Sequence, residues 1–115
     1  MITEKDRQDL NRGLRDIFVA LGNPRAALWQ WSPMAERPLS KEEQRGFAEG
    51  AGETLARIAK LVIHGQEDFA IKLVRAEREV LELTGTERHG EDRYEAGYLE
   101  GFAFVFCTLA SYISE

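Results

Sequence analysis

Apolar residues near the start of the chain recur every three or four positions, the spacing of one face of an α-helix. Thr3 and Asp6 have the arrangement of a helix start, in which side-chain oxygens satisfy free backbone amides. Gly22 and Pro24 end the pattern. The stripe between them consists of Leu10, Leu14, Ile17, Phe18 and Leu21. We predict a first helix here, with a middle exposed enough for Gly13 to accept alanine.

The three prolines of the chain all follow this helix within a short distance. They bracket a short helical segment at 25–31, which contains Leu28, Trp29 and Trp31. Proline fixes its own backbone and ends helices, so this stretch should be a packed linker. We therefore predict one domain, 1–115, in which 1–39 form the first helix and linker and 40–115 form a three-helix unit.

A second, longer helix is predicted to begin at Ser40, because Glu43 follows at the spacing of a capping box. His64 and Gly65 end it, with a glycine that can adopt positive φ. Its apolar stripe is Phe47, Ala51, Leu55, Ile58 and Val62. This stripe is expected to face the core.

The third predicted helix spans about 66–83 and ends before Gly85. Its apolar residues alternate at spacings of four and three, as in a heptad repeat. They are Phe69, Leu73, Ala76, Val80 and Leu83. We expect this stripe to face the core and the charged face to meet water.

A final helix is predicted at about 91–114, and its part from 101 onwards carries no charged residue. Phenylalanines in the segment 101–108 also recur at every second position, as side chains on one face of a β-strand would. No second strand-like segment could pair with it, so the all-α interpretation is favoured. A helix that is apolar on every side must be buried on every side. We therefore predict an all-α bundle of about four helices that forms a homodimer around this last helix.

Two helices share a glycine repeat, with Gly46 and Gly50 in one and Gly97 and Gly101 in the other. Glycine costs about 1 kcal/mol against alanine inside a helix, so pairs four residues apart indicate a close helix crossing. We assign the packing at this crossing and at the dimer axis to Gly50, Gly101, Phe102, Phe104, Val105, Phe106, Leu109 and Ile113.

Composition fits a single folded domain of 115 residues with a net charge of −5 and 43% hydrophobic residues. The acidic balance argues against binding to nucleic acid, because phosphate contacts need a surplus of Lys and Arg. The amino terminus lacks the basic start and apolar run of a signal peptide, and the single cysteine has no intrachain partner for a disulfide. A cytoplasmic protein that does not enter membranes is expected.

Candidate chemistry is sparse. His64, His89 and Cys107 do not have the spacing of zinc ligands, and no nucleophile or phosphate-binding motif is present. Glu49 and Glu100, within the glycine repeat, could form a carboxylate pair, although such residues usually face solvent. We predict no catalytic residue, no metal and no cofactor.

One short pattern suggests an enzyme. Glu79 and Glu82, followed by Glu95 and Tyr98, resemble the ExxE…ExxD magnesium motif of all-α NTP pyrophosphohydrolases of the MazG type. The resemblance implies carboxylates that hold Mg²⁺ against a triphosphate. Tyr98 stands where that family has an aspartate.

In size, acidity and helical layout the whole chain is similar to the small antiactivators of quorum sensing in Gram-negative bacteria. This resemblance implies stoichiometric inhibition of a LuxR-type transcriptional activator; an inhibitor encoded by a phage or an accessory subunit is the related alternative. Aromatic residues are favoured anchors at interfaces. The predicted partner-binding residues are Leu14, Phe18, Leu21, Leu28, Trp29 and Trp31.

Overall fold

Helices make up nearly all of the computed structural model, which describes residues 1–31, 40–84 and 92–113, without the side chains of Trp29 and Thr84. The five helices are α1 (Glu4–Ala20), α2 (Pro24–Trp31), α3 (Lys41–Ile63), α4 (Glu67–Thr84) and α5 (Arg93–Ile113). None of the described residues forms a strand. The all-α prediction is therefore confirmed, and the strand alternative for 101–108 is wrong.

Short polar motifs set the helix ends as the sequence indicates. The Thr3 side chain accepts the Asp6 backbone N–H at 3.2 Å, and the Thr3 N–H donates to the Asp6 carboxylate at 2.9 Å. Ser40 accepts the Glu43 backbone N–H at 3.1 Å at the start of α3. Gly65 ends α3 with φ +74°, a conformation that other residues adopt only with strain.

Helix α5 lies at the centre of the bundle, in contact with α1, α3 and α4. Its buried residues are Gly97, Gly101, Ala103, Val105, Phe106, Leu109, Ala110 and Ile113. Each remaining apolar side chain of α5 is half-buried. A single chain thus covers much of the uncharged helix, and the homodimer around α5 stays a prediction.

By length and composition, α5 is also the one helix among the described residues that could cross a membrane. Core helices of water-soluble proteins meet the same criteria, and α5 is packed on several sides by other helices. The fold therefore accounts for its apolar character without a bilayer.

The crossing of α3 and α5 brings the two backbones into direct contact. A Cβ atom added to Gly101 would lie 2.5 Å from the Phe47 carbonyl oxygen and 2.6 Å from the Ala51 nitrogen. Added at Gly50, it would collide with the backbone of Tyr98. Gly46 and Gly97 meet the backbones of Tyr94 and Glu43 in the same way. The close crossing predicted from the repeat is confirmed.

These four contacts are reciprocal. Each glycine meets the residue three positions before a glycine of the opposite helix, and the contacts advance in the same direction along both helices. Helices α3 and α5 are therefore parallel where they cross, and α4 returns the chain between them. The hydrogen that takes the place of each missing Cβ is directed at a carbonyl oxygen, the arrangement of a weak Cα–H···O contact.

Tyrosine–glutamate hydrogen bonds flank the glycines. Tyr94 donates its hydroxyl to Glu49, and four residues on Tyr98 donates to Glu53 at 2.5 Å. The hydrogen bond to the glutamate raises the pKa of each tyrosine. Glu100 instead accepts the Trp31 indole N–H at 2.6 Å. Glu49 and Glu100 thus each take part in a structural hydrogen bond to a different aromatic residue.

The orientation of α4 differs from the prediction. Phe69, Val80 and Leu83, expected in the core, expose 59%, 47% and 83% of their surface. The buried residues of α4 are Ala70, Ile71, Val74 and Leu81. At about 100° per residue these two apolar stripes are centred about 140° apart on the helix. The sequence pattern shows both stripes, and only packing selects which one is covered.

The environment of Gly13 also differs from the prediction. The middle of α1 is not exposed, because Gly13 is buried against α5. An added Cβ would lie 2.9 Å from a Leu109 methyl carbon and 3.2 Å from the Tyr112 ring. The expectation that alanine is neutral or stabilising at Gly13 therefore rested on a wrong premise.

Gly50→Ala and Gly101→Ala should each lower the free energy of unfolding by at least about 1–3 kcal/mol, because the methyl group must push two helix backbones apart. Gly52→Ala is the matched control, since a Cβ there meets nothing within 4 Å. That change should raise the free energy by about 1 kcal/mol, the helix propensity difference. Urea denaturation measures all three, and equal effects would contradict the crossing.

The raised pKa values of Tyr94 and Tyr98 predict a loss of stability at high pH. The unfolded chain loses tyrosine protons near pH 10, before the folded chain does, so the stabilisation is complete below about pH 10 and disappears above it. Urea midpoints measured from about pH 8 to about pH 11 should fall less steeply for Tyr98→Phe than for the natural chain. Parallel curves would show that the hydrogen bond to Glu53 contributes nothing.

Candidate functional site

An exposed phenylalanine marks the end of α1. Ile17 and Leu10 hold this helix on the core and are buried. Phe18 lies one position further round the helix, and 72% of its surface remains exposed. Val19 beside it is exposed to a similar degree. A large apolar side chain left in water in this way is a candidate contact for another molecule.

Phe18 forms one wall of an apolar groove between the end of α1 and the outer face of α3. The groove encloses about 570 Å³. Its lining residues are Phe18, Leu21, Gly22, Ala48, Gly52, Leu55, Ala56 and Ala59. We call this the α1–α3 groove. None of these eight residues is ionisable, so the groove offers apolar surface and shape rather than charge.

The groove exists because α3 carries small residues on its outer side. Ala48, Gly52 and Ala56 are spaced four apart, and Ala59 continues the row. Side chains four apart lie on one face of a helix, so the row leaves a shallow channel along α3. We call this row of small residues the groove floor. The sequence did not predict it, because alanine is common both in cores and on surfaces and has no functional group. The four-residue spacing was the only indication available.

The residues predicted to bind a partner are divided by the structure. Phe18 and Leu21 line the α1–α3 groove. Leu28 is buried beside Phe47, and Leu14 is half-buried against the main core. The side chain of Trp29 lies outside the described part of the chain. The structure thus brings together two of the predicted residues at one surface.

Trp31, also predicted to bind a partner, makes packing and hydrogen-bond contacts within the chain. Its ring packs edge-on against Phe104, with 5.9 Å between ring centroids, and its indole N–H is bonded to Glu100. The side chain is half-buried in these contacts. These contacts hold α2 against α5, in agreement with the packed linker predicted from the prolines.

A smaller cavity of about 280 Å³ lies on the other side of α1, between α1, α2 and α5. Tyr112 donates its hydroxyl to Asp16 at 2.5 Å at its edge, and this bond raises the pKa of Tyr112. Arg12 lies 5.5 Å from the centre of the Tyr112 ring. Asp16 and Tyr112 in the lining of this cavity are thus used in a contact within the chain.

The structure also gives the positions of the acidic residues that could take part in metal chemistry. Among residues 1–31, 40–84 and 92–113, no three His, Cys, Asp or Glu side chains come together as metal ligands. Glu82 is exposed and paired with Arg78 at 3.0 Å, and Tyr98 is bonded to Glu53. Glu79 and Glu95 are exposed. Two of the four residues of the MazG-like pattern, Glu82 and Tyr98, thus take part in contacts within the chain.

Comparison with known proteins adds no assignment. No family model, curated protein or solved structure matches this chain. The α1–α3 groove is thus the feature from which a function is inferred.

Proposed function

We propose that this protein is a non-catalytic, stoichiometric regulator that binds an amphipathic helix of another protein in the α1–α3 groove. The observation that carries this proposal is the exposed side chain of Phe18, which lies beside the row of small apolar residues on α3. Apolar grooves between helices are a common way to bind helical segments, which insert side chains spaced three and four apart.

The dimensions of the groove suit such an occupant. Ala48 and Ala59 are eleven residues apart on α3, which corresponds to about 16 Å at 1.5 Å per residue. A bound helix of about three turns would cover that length. Its larger apolar side chains would fill the channel above Gly52, and Phe18 would close one side.

The absence of ionisable groups from the groove lining favours binding over catalysis. General acid–base and nucleophilic mechanisms need a titratable group within hydrogen-bond reach of the reacting atoms. The eight lining residues supply apolar surface instead. Binding energy at such surfaces comes mainly from a few large anchors, and Phe18 is the large exposed aromatic of this groove.

The partner we propose is a LuxR-type transcriptional activator, on the basis of the overall resemblance to quorum-sensing antiactivators. A regulator of this kind would act in the cytoplasm, where it would occupy a helix that the activator needs for dimerisation or DNA binding. The Mg²⁺-dependent pyrophosphohydrolase remains the alternative function.

Phe18→Ala should weaken partner binding by about 2 kcal/mol, or about thirtyfold, because it removes the anchor of the groove. Ala56→Glu should have a similar effect by placing a charge on the groove floor. A mobility-shift assay with a purified LuxR-type activator and its operator measures both as loss of inhibition.

Val19→Ala is the matched control for these variants, because Val19 is equally exposed on α1 but does not line the groove. It should inhibit as the natural protein does. All variants should melt as the natural protein does. Inhibition that Phe18→Ala and Ala56→Glu leave unchanged would place the interface elsewhere, and inhibition far below stoichiometric amounts would indicate a catalytic mechanism.

The chain should not release pyrophosphate from nucleoside triphosphates in the presence of Mg²⁺ or Mn²⁺. Hard cations need several converging oxygen ligands, and Tyr98 supplies a phenol that is bonded to Glu53. A colorimetric pyrophosphate assay over a panel of nucleotides tests this. Turnover that disappears in both Glu79→Gln and Glu95→Gln would establish the enzyme instead.

A further inference from the structure

Helix α4 carries a second apolar seam, which is exposed along most of its length and includes Leu73, a half-buried residue at the margin of the core. Three of its members, Phe69, Val80 and Leu83, are among the most exposed large apolar residues described. The complete seam, at spacings of four and three, is Phe69, Leu73, Ala76, Val80 and Leu83. This is the heptad pattern by which one helix packs against another. We call it the α4 seam.

We propose that the α4 seam docks onto the α4 seam of a second copy of this chain, with the two helices antiparallel. The interface is distinct from the α1–α3 groove, because no residue of the seam lines that groove. It also differs from the dimer axis predicted at α5.

Charge complementarity identifies the occupant. Lys72 and Glu79 precede Leu73 and Val80 and therefore flank the seam on the same side, in positions where charged residues of paired helices meet. In an antiparallel pair this side meets its own copy, so Lys72 of one protomer lies beside the partner's Glu79. Two-fold symmetry forms this pair twice. The seam is thus complementary to itself in charge.

The sizes of the seam residues also favour antiparallel pairing. In that arrangement Phe69 stacks against the partner's Val80, and Leu73 against the partner's Ala76. Each of the four layers formed in this way combines a larger side chain with a smaller one, which fills space evenly, and Leu83 lies beyond the last layer. A parallel pair would set Phe69 against itself and Ala76 against itself, leaving one layer crowded and another empty.

Core packing already holds α4 in its helical conformation within one chain. Ile71, Val74 and Leu81 anchor the opposite face of the helix in the core, so the helix exists before the second copy arrives. Most of the stability of a helix in a protein comes from tertiary packing of this kind. With the helix already formed, a seam of just over two heptads suffices for a weak, concentration-dependent dimer of the full chain.

Sedimentation equilibrium of the full chain over a wide concentration range tests the proposal. The natural chain should show a reversible monomer–dimer equilibrium, and Phe69→Glu should weaken it by about tenfold or more, because the charge would be buried against Val80 of the partner subunit. Ile63→Glu is the matched control, since Ile63 is an exposed apolar residue on α3 outside the seam. A chain that is monomeric at every concentration overturns the proposal.

Charge exchange separates an interface from an effect on folding. Lys72→Glu and Glu79→Lys, measured singly, should each weaken association about threefold or more, because each replaces two attractions with two repulsions. An equimolar mixture of the two variants should associate as tightly as the natural chain, since the pairs in the mixed dimer are again attractive. The double variant should likewise recover.

Two outcomes contradict these expectations. If Glu79→Lys has no effect while Lys72→Glu weakens association, the helices are parallel, with Lys72 beside the partner's Glu77, and the antiparallel proposal fails. If Phe69→Glu and Ile63→Glu behave alike, the seam is not the interface. Phe18→Ala should leave dimerisation unchanged, so failure of the groove proposal and failure of the seam proposal are distinguishable.

Discussion

The rest of the structure depends on the direct backbone contact between α3 and α5. Four glycines remove the side chains that would separate the two helices, and each meets backbone of the opposite helix. Because these helices run parallel, the chain must return between them, and α4 is that return. Helices α1 and α4 pack against other parts of α5, and α2 contacts α5 through Trp31. A methyl group at Gly50 would therefore disturb the placement of every other helix.

Small residues on α3 form both the crossing with α5 and the α1–α3 groove. The two differ in whether another helix lies opposite the small residues. Gly46 and Gly50 face α5, and the close approach buries both. Ala48 and Gly52 face outward, where α1 ends too early to cover them and Phe18 stands at the edge. The same steric feature therefore forms the inner crossing and the open groove. The groove stays open because none of the described helices covers this part of α3.

The candidate site could be predicted only in part. Phe18 and Leu21 belong to an apolar stripe that indicated contact with a partner, and both line the groove. Leu28 belongs to the same prediction but is buried beside Phe47, because α2 folds back onto α3. The groove floor, which includes Ala56, gave no chemical signal. An alanine becomes part of a site only through the neighbours that leave it uncovered.

The sequence by itself determined the helices, their ends and the α3–α5 crossing, because capping, glycine propensity and the loss of a side chain act within a few residues. Thr3, Ser40 and Gly65 act in this way. Tertiary structure decided which stripe of α4 is buried and that Gly13 faces α5. Apolar periodicity shows which face of a helix is apolar, but the helix that covers this face is distant in the chain. Packing in three dimensions therefore makes that choice.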